Sequence, residues 1–94
     1  MTSKSEHTPK KLKKYRLDKG FTIYSLADRV GVHYSSVSGW ENGNKFPRID
    51  KVMILEEIFK VGYRELFNNL TPEETKEVEE RIKQSRLKQN KQEN

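Results

Sequence analysis

Leu26-Ala27-Asp28-Arg29-Val30-Gly31-Val32-His33-Tyr34-Ser35-Ser36-Val37-Ser38-Gly39-Trp40-Glu41-Asn42-Gly43 holds the pattern that decides the fold. Leu26, Ala27 and Val30 fall at helical spacing, and Ala27 is small enough to let a neighbouring helix come close. Gly31 follows four residues after Ala27, where a residue of positive φ can end a helix in a sharp turn. Val32 comes next as an apolar plug. Val37 and Trp40 then give a helix over 34–42 its inner side, and Gly43 closes it. Close crossing, a tight turn and a plug are the requirements of a helix-turn-helix, and a general helical hairpin shares them.

Outward from this core the chain is punctuated in the same way. Thr8-Pro9 reads as a helix start, a hydroxyl cap with proline at the first helical position. Leu12 and Tyr15 face inward on that helix, Gly20 stops it, and Thr22 caps the next. After Asn44-Lys45-Phe46-Pro47, a helix over 49–59 has Ile49, Val52, Met53, Leu55, Ile58 and Phe59 as its buried stripe. A short helix over about 63–68 adds Leu66 and Phe67. Thr71-Pro72-Glu73-Glu74 is a capping box opening a sixth segment, acidic first and basic last, as the helix dipole favours. No run alternates with period two and no repeat is present. The prediction is all-α: a flexible basic arm over 1–8, a compact five-helix domain over 9–68, and an additional charged C-terminal helix or tail over 69–94. In that tail Val78 and Ile82 are four apart and Leu87 lies five further on. So thin a stripe suits a fraying exposed helix, or one paired with its own domain, a second copy or a regulatory protein.

The chain has 94 residues, 32% hydrophobic and 35% charged, which allows one small domain and leaves little room for an enclosed catalytic cavity. Cysteine is absent, which excludes disulfides and thiolate sites and suits a reducing compartment. The longest apolar run is Val52 to Leu55, too short to span a bilayer. The net charge of +5 resides entirely in residues 1–70, because residues 71–94 hold equal numbers of acidic and basic side chains. Its densest part is Lys10, Lys11, Lys13, Lys14, Arg16 and Lys19, which reads either as a solvated helix face or as attraction to a polyanion. His7 and His33 have no partner at metal spacing, and no phosphate loop, Ser-His-Asp set or zinc pattern occurs. No catalytic residue, metal or cofactor is expected.

The stretches Leu12-Lys13-Lys14-Tyr15-Arg16, Lys19-Gly20-Phe21-Thr22, Leu26-Ala27, Gly31-Val32 and Val37-Ser38-Gly39-Trp40-Glu41-Asn42-Gly43 together resemble a known family. With Pro47, Leu55, Phe59, Val61 and Leu66, the sequence is similar to the lambda-repressor/Cro-type, or Xre, helix-turn-helix family. The resemblance implies that family's five-helix fold, double-stranded DNA as partner, a homodimer, and a bacterial or phage cytoplasmic, nucleoid-associated setting. It implies an ion pair between Arg16 and Glu41, and Glu41 does lie on the same side of its helix as Val37 and Trp40. It also implies dimerisation around the fifth helix, through Tyr63, Leu66, Phe67 and Leu70, and entry of helix 34–42 into the major groove.

With Val37, Trp40 and Glu41 inward, Ser35, Ser38, Gly39 and Asn42 turn outward, with Tyr34 at the leading edge. Short uncharged side chains permit close approach to base edges, so Tyr34, Ser35, Ser38 and Gly39 are the base-reading candidates. Phosphates are expected at the start of the second helix, near Thr22 and Ile23, and at His33, Asn42, Asn44, Lys45 and Arg48. Many phage repressors of this type carry Gln where Ile23 and Tyr34 stand here. Specificity then rests on hydroxyls, thymine methyl contacts and DNA shape. Lys60 also stands where the family often has Gly. The function expected is sequence-specific transcription regulation, as a homodimeric repressor of a palindromic operator. The competing readings are an antitoxin- or adaptor-like module working through its C-terminal helix, and a nonspecific nucleic-acid binder.

Overall fold

Short helices follow one another wherever the chain supplies a cap and a stop. The computed structural model describes residues 9–93, with side chains through Gln84, so the arm over 1–8, with its Thr8 cap, and the Leu87 side chain lie outside what is described. The described residues form six helices: α1 (Lys11–Asp18), α2 (Ile23–Val30), α3 (Tyr34–Asn42), α4 (Ile49–Phe59), α5 (Tyr63–Leu66) and α6 (Pro72–Glu93). None of them is long and apolar enough to cross a membrane.

The first helix starts later than Thr8-Pro9 suggested. Its N-cap is Lys10, which offers no side-chain cap. Tertiary partners take the place of the cap: the Lys10 amide donates to the Glu41 carbonyl at 2.9 Å and the Lys11 amide to that of Asn68 at 2.8 Å. Between α2 and α3 the turn is tight because Gly31 adopts φ 85, and the amides of Gly31 and Val32 both donate to the Ala27 carbonyl. Leu12, Leu26, Ala27, Val30, Val37, Trp40, Leu55, Phe59 and Leu66 form one buried cluster. Phe21 meets Phe59 edge to face at 6.2 Å over it.

A buried ion pair crosses this core. Arg16 Nε donates to Glu41 Oε2 at 2.6 Å and Nη2 to Oε1 at 3.2 Å, while Nη1 donates to the Phe21 carbonyl at 2.9 Å. Arg16 and Glu41 are only 5% and 3% exposed.

The α4 stripe is narrower than the periodicity implied. Ile49 and Met53 are 73% and 63% exposed, and Val52, Leu55 and Phe59 alone are fully buried. Ile49 and Met53 sit on the side of α4 that faces solvent among the described residues. The helix ends at Lys60, which takes φ 61 in the left-handed region, while Gly62 keeps φ −76 as the N-cap of α5.

The C-terminal helix docks on its own domain. Thr71 and Glu74 exchange the two bonds of a capping box, at 3.0 and 3.1 Å. Leu70 and Val78 are buried, Ile82 is half-buried, and Arg81 bonds Asp18 and the Leu17 carbonyl. Much of the basic run of α1 is neutralised here. Lys11 pairs with Glu74 at 3.3 Å, Lys14 pairs with Asp18 at 3.6 Å, and Lys10 keeps its charge while donating to the neutral Asn69 amide at 2.6 Å. The Thr71 amide and then Lys11 hold the Glu74 carboxyl below the usual carboxylate range.

Two stability changes follow from these contacts. Glu41→Ala strands the Arg16 guanidinium in the core and lowers stability by about 3–5 kcal/mol in urea unfolding; a loss below about 1 kcal/mol would contradict the burial of the pair. Lys60→Gly removes a left-handed side chain and raises stability by about 1 kcal/mol. An unchanged or lower melting temperature would count against strain at that residue.

Candidate nucleic-acid interface

The turn at Gly31 brings the N-termini of α2 and α3 side by side, and each is capped by its own sequence. Thr22 caps α2: its hydroxyl accepts from the Ser25 amide, and the Ser25 hydroxyl accepts from the Thr22 amide, both at 2.9 Å. His33 caps α3, its Nδ1 accepting from the Ser35 amide at 3.2 Å. Because an amide donates to Nδ1, that nitrogen carries no proton in the neutral ring and Nε2 does. The Ser35 hydroxyl lies 2.9 Å from the same nitrogen.

The other end of α3 folds back over itself. Gly43 caps the helix, and the amides of Asn44 and Lys45 donate to the Gly39 carbonyl at 2.9 and 3.1 Å. The Lys45 stem then lies directly on Gly39, where an added Cβ would sit 2.9 Å from Cδ and 3.3 Å from Cβ of that lysine. Gly39 is therefore buried, in contrast to the outward position expected for it, because the returning loop covers it. Its lack of a side chain sets the path of Lys45.

These elements enclose one open hollow of ≈ 400 Å³, lined by Ile23, Tyr24, Tyr34, Ser35, Ser38, Gly39, Asn42, Asn44 and Lys45. None of the lining residues is acidic. Tyr34 and Ser35 are exposed, Ser38 is half-buried, and Asn42, Asn44 and Lys45 form an exposed rim. The Ser38 hydroxyl has no hydrogen-bond partner among the described residues. Ile23 is half-buried, packed against the core with its flank on the hollow. Thr22 and His33 are exposed at the two helix starts, and Arg48 is exposed at the start of α4, outside the hollow. Arg48 caps α4 without a side-chain bond.

The residues expected around the fifth helix divide. Leu66 and Leu70 are buried within the chain, which removes them from any surface, because they close the core beneath α1 and α6. Tyr63 is exposed and Phe67 half-buried. Both touch Phe46, itself 60% exposed, at ring separations of 6.3 and 4.9 Å. Phe46 escaped the sequence reading, as did Tyr24, 66% exposed, whose ring sits 4.9 Å from that of Tyr34. Their signal was faint: an aromatic on an otherwise polar helix side, and one beside Pro47 in a loop. Which partners they meet depends on the turn geometry and not on spacing along the chain.

A small helix crossing another over an alanine, with its outer side free and lined by short polar residues, defines a helix-turn-helix domain. The comparison with protein families agrees: the family described as Helix-turn-helix matches residues 12–66, and the chain belongs to this Xre, or lambda-repressor-type, family. Comparison with curated proteins and with solved structures gave no match. The protein is a DNA-binding transcription regulator, of a family of DNA-binding domains and not of enzymes.

The His33 cap is open to test. His33→Ala lowers stability by about 1 kcal/mol in urea unfolding, whereas His33→Asn, which can cap, keeps most of it. Equal losses in the two variants would remove the cap from this account.

Proposed function

We propose that the protein is a sequence-specific repressor of bacterial or phage genes that reads a palindromic operator as a homodimer, with α3 in the major groove. The observation that carries this reading is the hollow along α3: free of carboxylates, floored by serine hydroxyls and rimmed by Asn42, Asn44 and Lys45. A recognition helix must approach base edges closely, and Ser35 and Ser38 obstruct nothing. Ser35 acts as an acceptor for a base amino group and Ser38 as donor or acceptor. Phosphates are held by the α2 N-terminus at Thr22 and Ile23, by His33 Nε2–H, and by Asn44, Lys45 and Arg48.

For the dimer, Tyr63 and Phe67 are retained and Phe46 joins them, since these three rings form a contiguous and partly exposed aromatic patch. The adaptor alternative is less well supported, because Val78 and Arg81 of α6 are already engaged with the rest of the chain.

Selection of bound sites from a random duplex library at physiological salt yields an inverted repeat with half-site centres about 34–36 Å apart. Ser38→Ala relaxes preference at one position in each half-site. Arg48→Ala weakens all duplexes alike and reduces the salt dependence by about one phosphate contact per protomer. Phe46→Glu leaves a monomer in sedimentation that still shifts a half-site. Binding that follows charge alone, without an enriched motif, would overturn the proposal.

A further inference from the structure

The hollow along α3 is not uniform. Its polar end is made by Asn42, Asn44 and Lys45, whereas its other end is walled by Ile23 and the rings of Tyr24 and Tyr34. The two rings lean on each other at 55°, and the His33 ring also packs on Tyr34, with ring centres 4.4 Å apart. The Ile23 side chain offers no polar atom, and it is fixed because it also packs on the core. An N–H or carbonyl pressed against it would lose its water without gaining a partner.

Among the groups that bases expose in the major groove, one kind is apolar: the methyl on C5 of a pyrimidine. Resting on the placement of α3 in the major groove, we propose that Ile23, Tyr24 and Tyr34 form a pocket for such a C5-methyl group. The protein thereby reads the presence of the methyl and not only the hydrogen-bonding edge of the base. The Ser38 hydroxyl lies in the same hollow and is uncommitted. As donor it matches O4 of thymine, and as acceptor it matches N4 of 5-methylcytosine, so the shared chemistry is the methyl itself. Tyr24 acts as a positioning residue that keeps the Tyr34 ring upright, and Ile23 is the contact surface.

The test uses the full-length protein and its selected duplex, with binding read by fluorescence anisotropy. Each fixed thymine is replaced in turn by deoxyuridine, which removes one methyl and changes nothing else on the groove edge. One symmetry-related thymine per half-site is expected to lose about fourfold in affinity per methyl, with the other positions close to unchanged. Ile23→Ala brings the thymine-to-uracil ratio at that position to near one. Because Ile23 also touches the core, the exposed Tyr24→Ser provides a second variant that reduces the same ratio without disturbing the core.

A further arm places cytosine or 5-methylcytosine, paired with guanine, at that position. Tighter binding of the methylated base supports a pocket that reads the methyl on either ring. A preference for thymine over uracil without one for 5-methylcytosine supports a thymine pocket set by the Ser38 donor. Equal affinity for thymine and uracil at every position overturns the pocket while leaving the operator reading intact, as does a selected motif with no fixed thymine. Failure to select any motif overturns both.

Discussion

The Arg16–Glu41 pair is the constraint on which the rest of the molecule depends. One guanidinium ties α1 to the end of α3 through two bonds to a carboxylate, and to the approach of α2 through the Phe21 carbonyl. The Glu41 backbone carbonyl also receives the Lys10 amide, so α3 is fastened to the start of α1 twice. Two buried charges of this kind are tolerated only when each is fully paired, and no buried side-chain polar atom in the described residues lacks a partner. With its inner side pinned in this way, α3 has one side left, and the composition of that side is free to serve binding.

Charge is divided along the same lines. The basic run in α1 is the densest in the chain, yet Lys11, Lys14 and Arg16 are paired with Glu74, Asp18 and Glu41. Glu74 in the acidic first turn of α6 has two tasks: it favours its own helix dipole and it pairs with Lys11 of α1. Beside the end of α3, Lys45 lines a hollow without carboxylates, and Arg48 is exposed at the start of α4.

Much of this was legible from local rules. Ala27, Gly31 and Val32 define the turn because each has one physical task that few other residues perform, and Val37, Trp40 and Glu41 follow from helical period. The Thr71–Glu74 box opens α6 where its residues say it should. What escaped depends on non-local contacts. The start of α1 is set by the carbonyls of Glu41 and Asn68 and not by a cap. Ile49 and Met53 match the period of α4 but face solvent, because period fixes a side of a helix and not whether another element covers it. Gly39 counts as outward on a helical wheel, and only the return of Lys45 buries it. Tyr24 and Phe46 belong to aromatic groups assembled across turns, which no spacing rule reveals.

The central claim is that the outer side of α3, with the N-terminus of α2, is the surface that meets DNA. The most direct measurement is a two-dimensional ¹⁵N NMR titration of the full chain with its bound duplex. The account predicts that the amides of residues 22–24 and 33–45 move most, while those on the open side of α4, around Met53 and Glu57, stay still. Largest changes on α4 or along α6, with residues 34–42 unmoved, would contradict it.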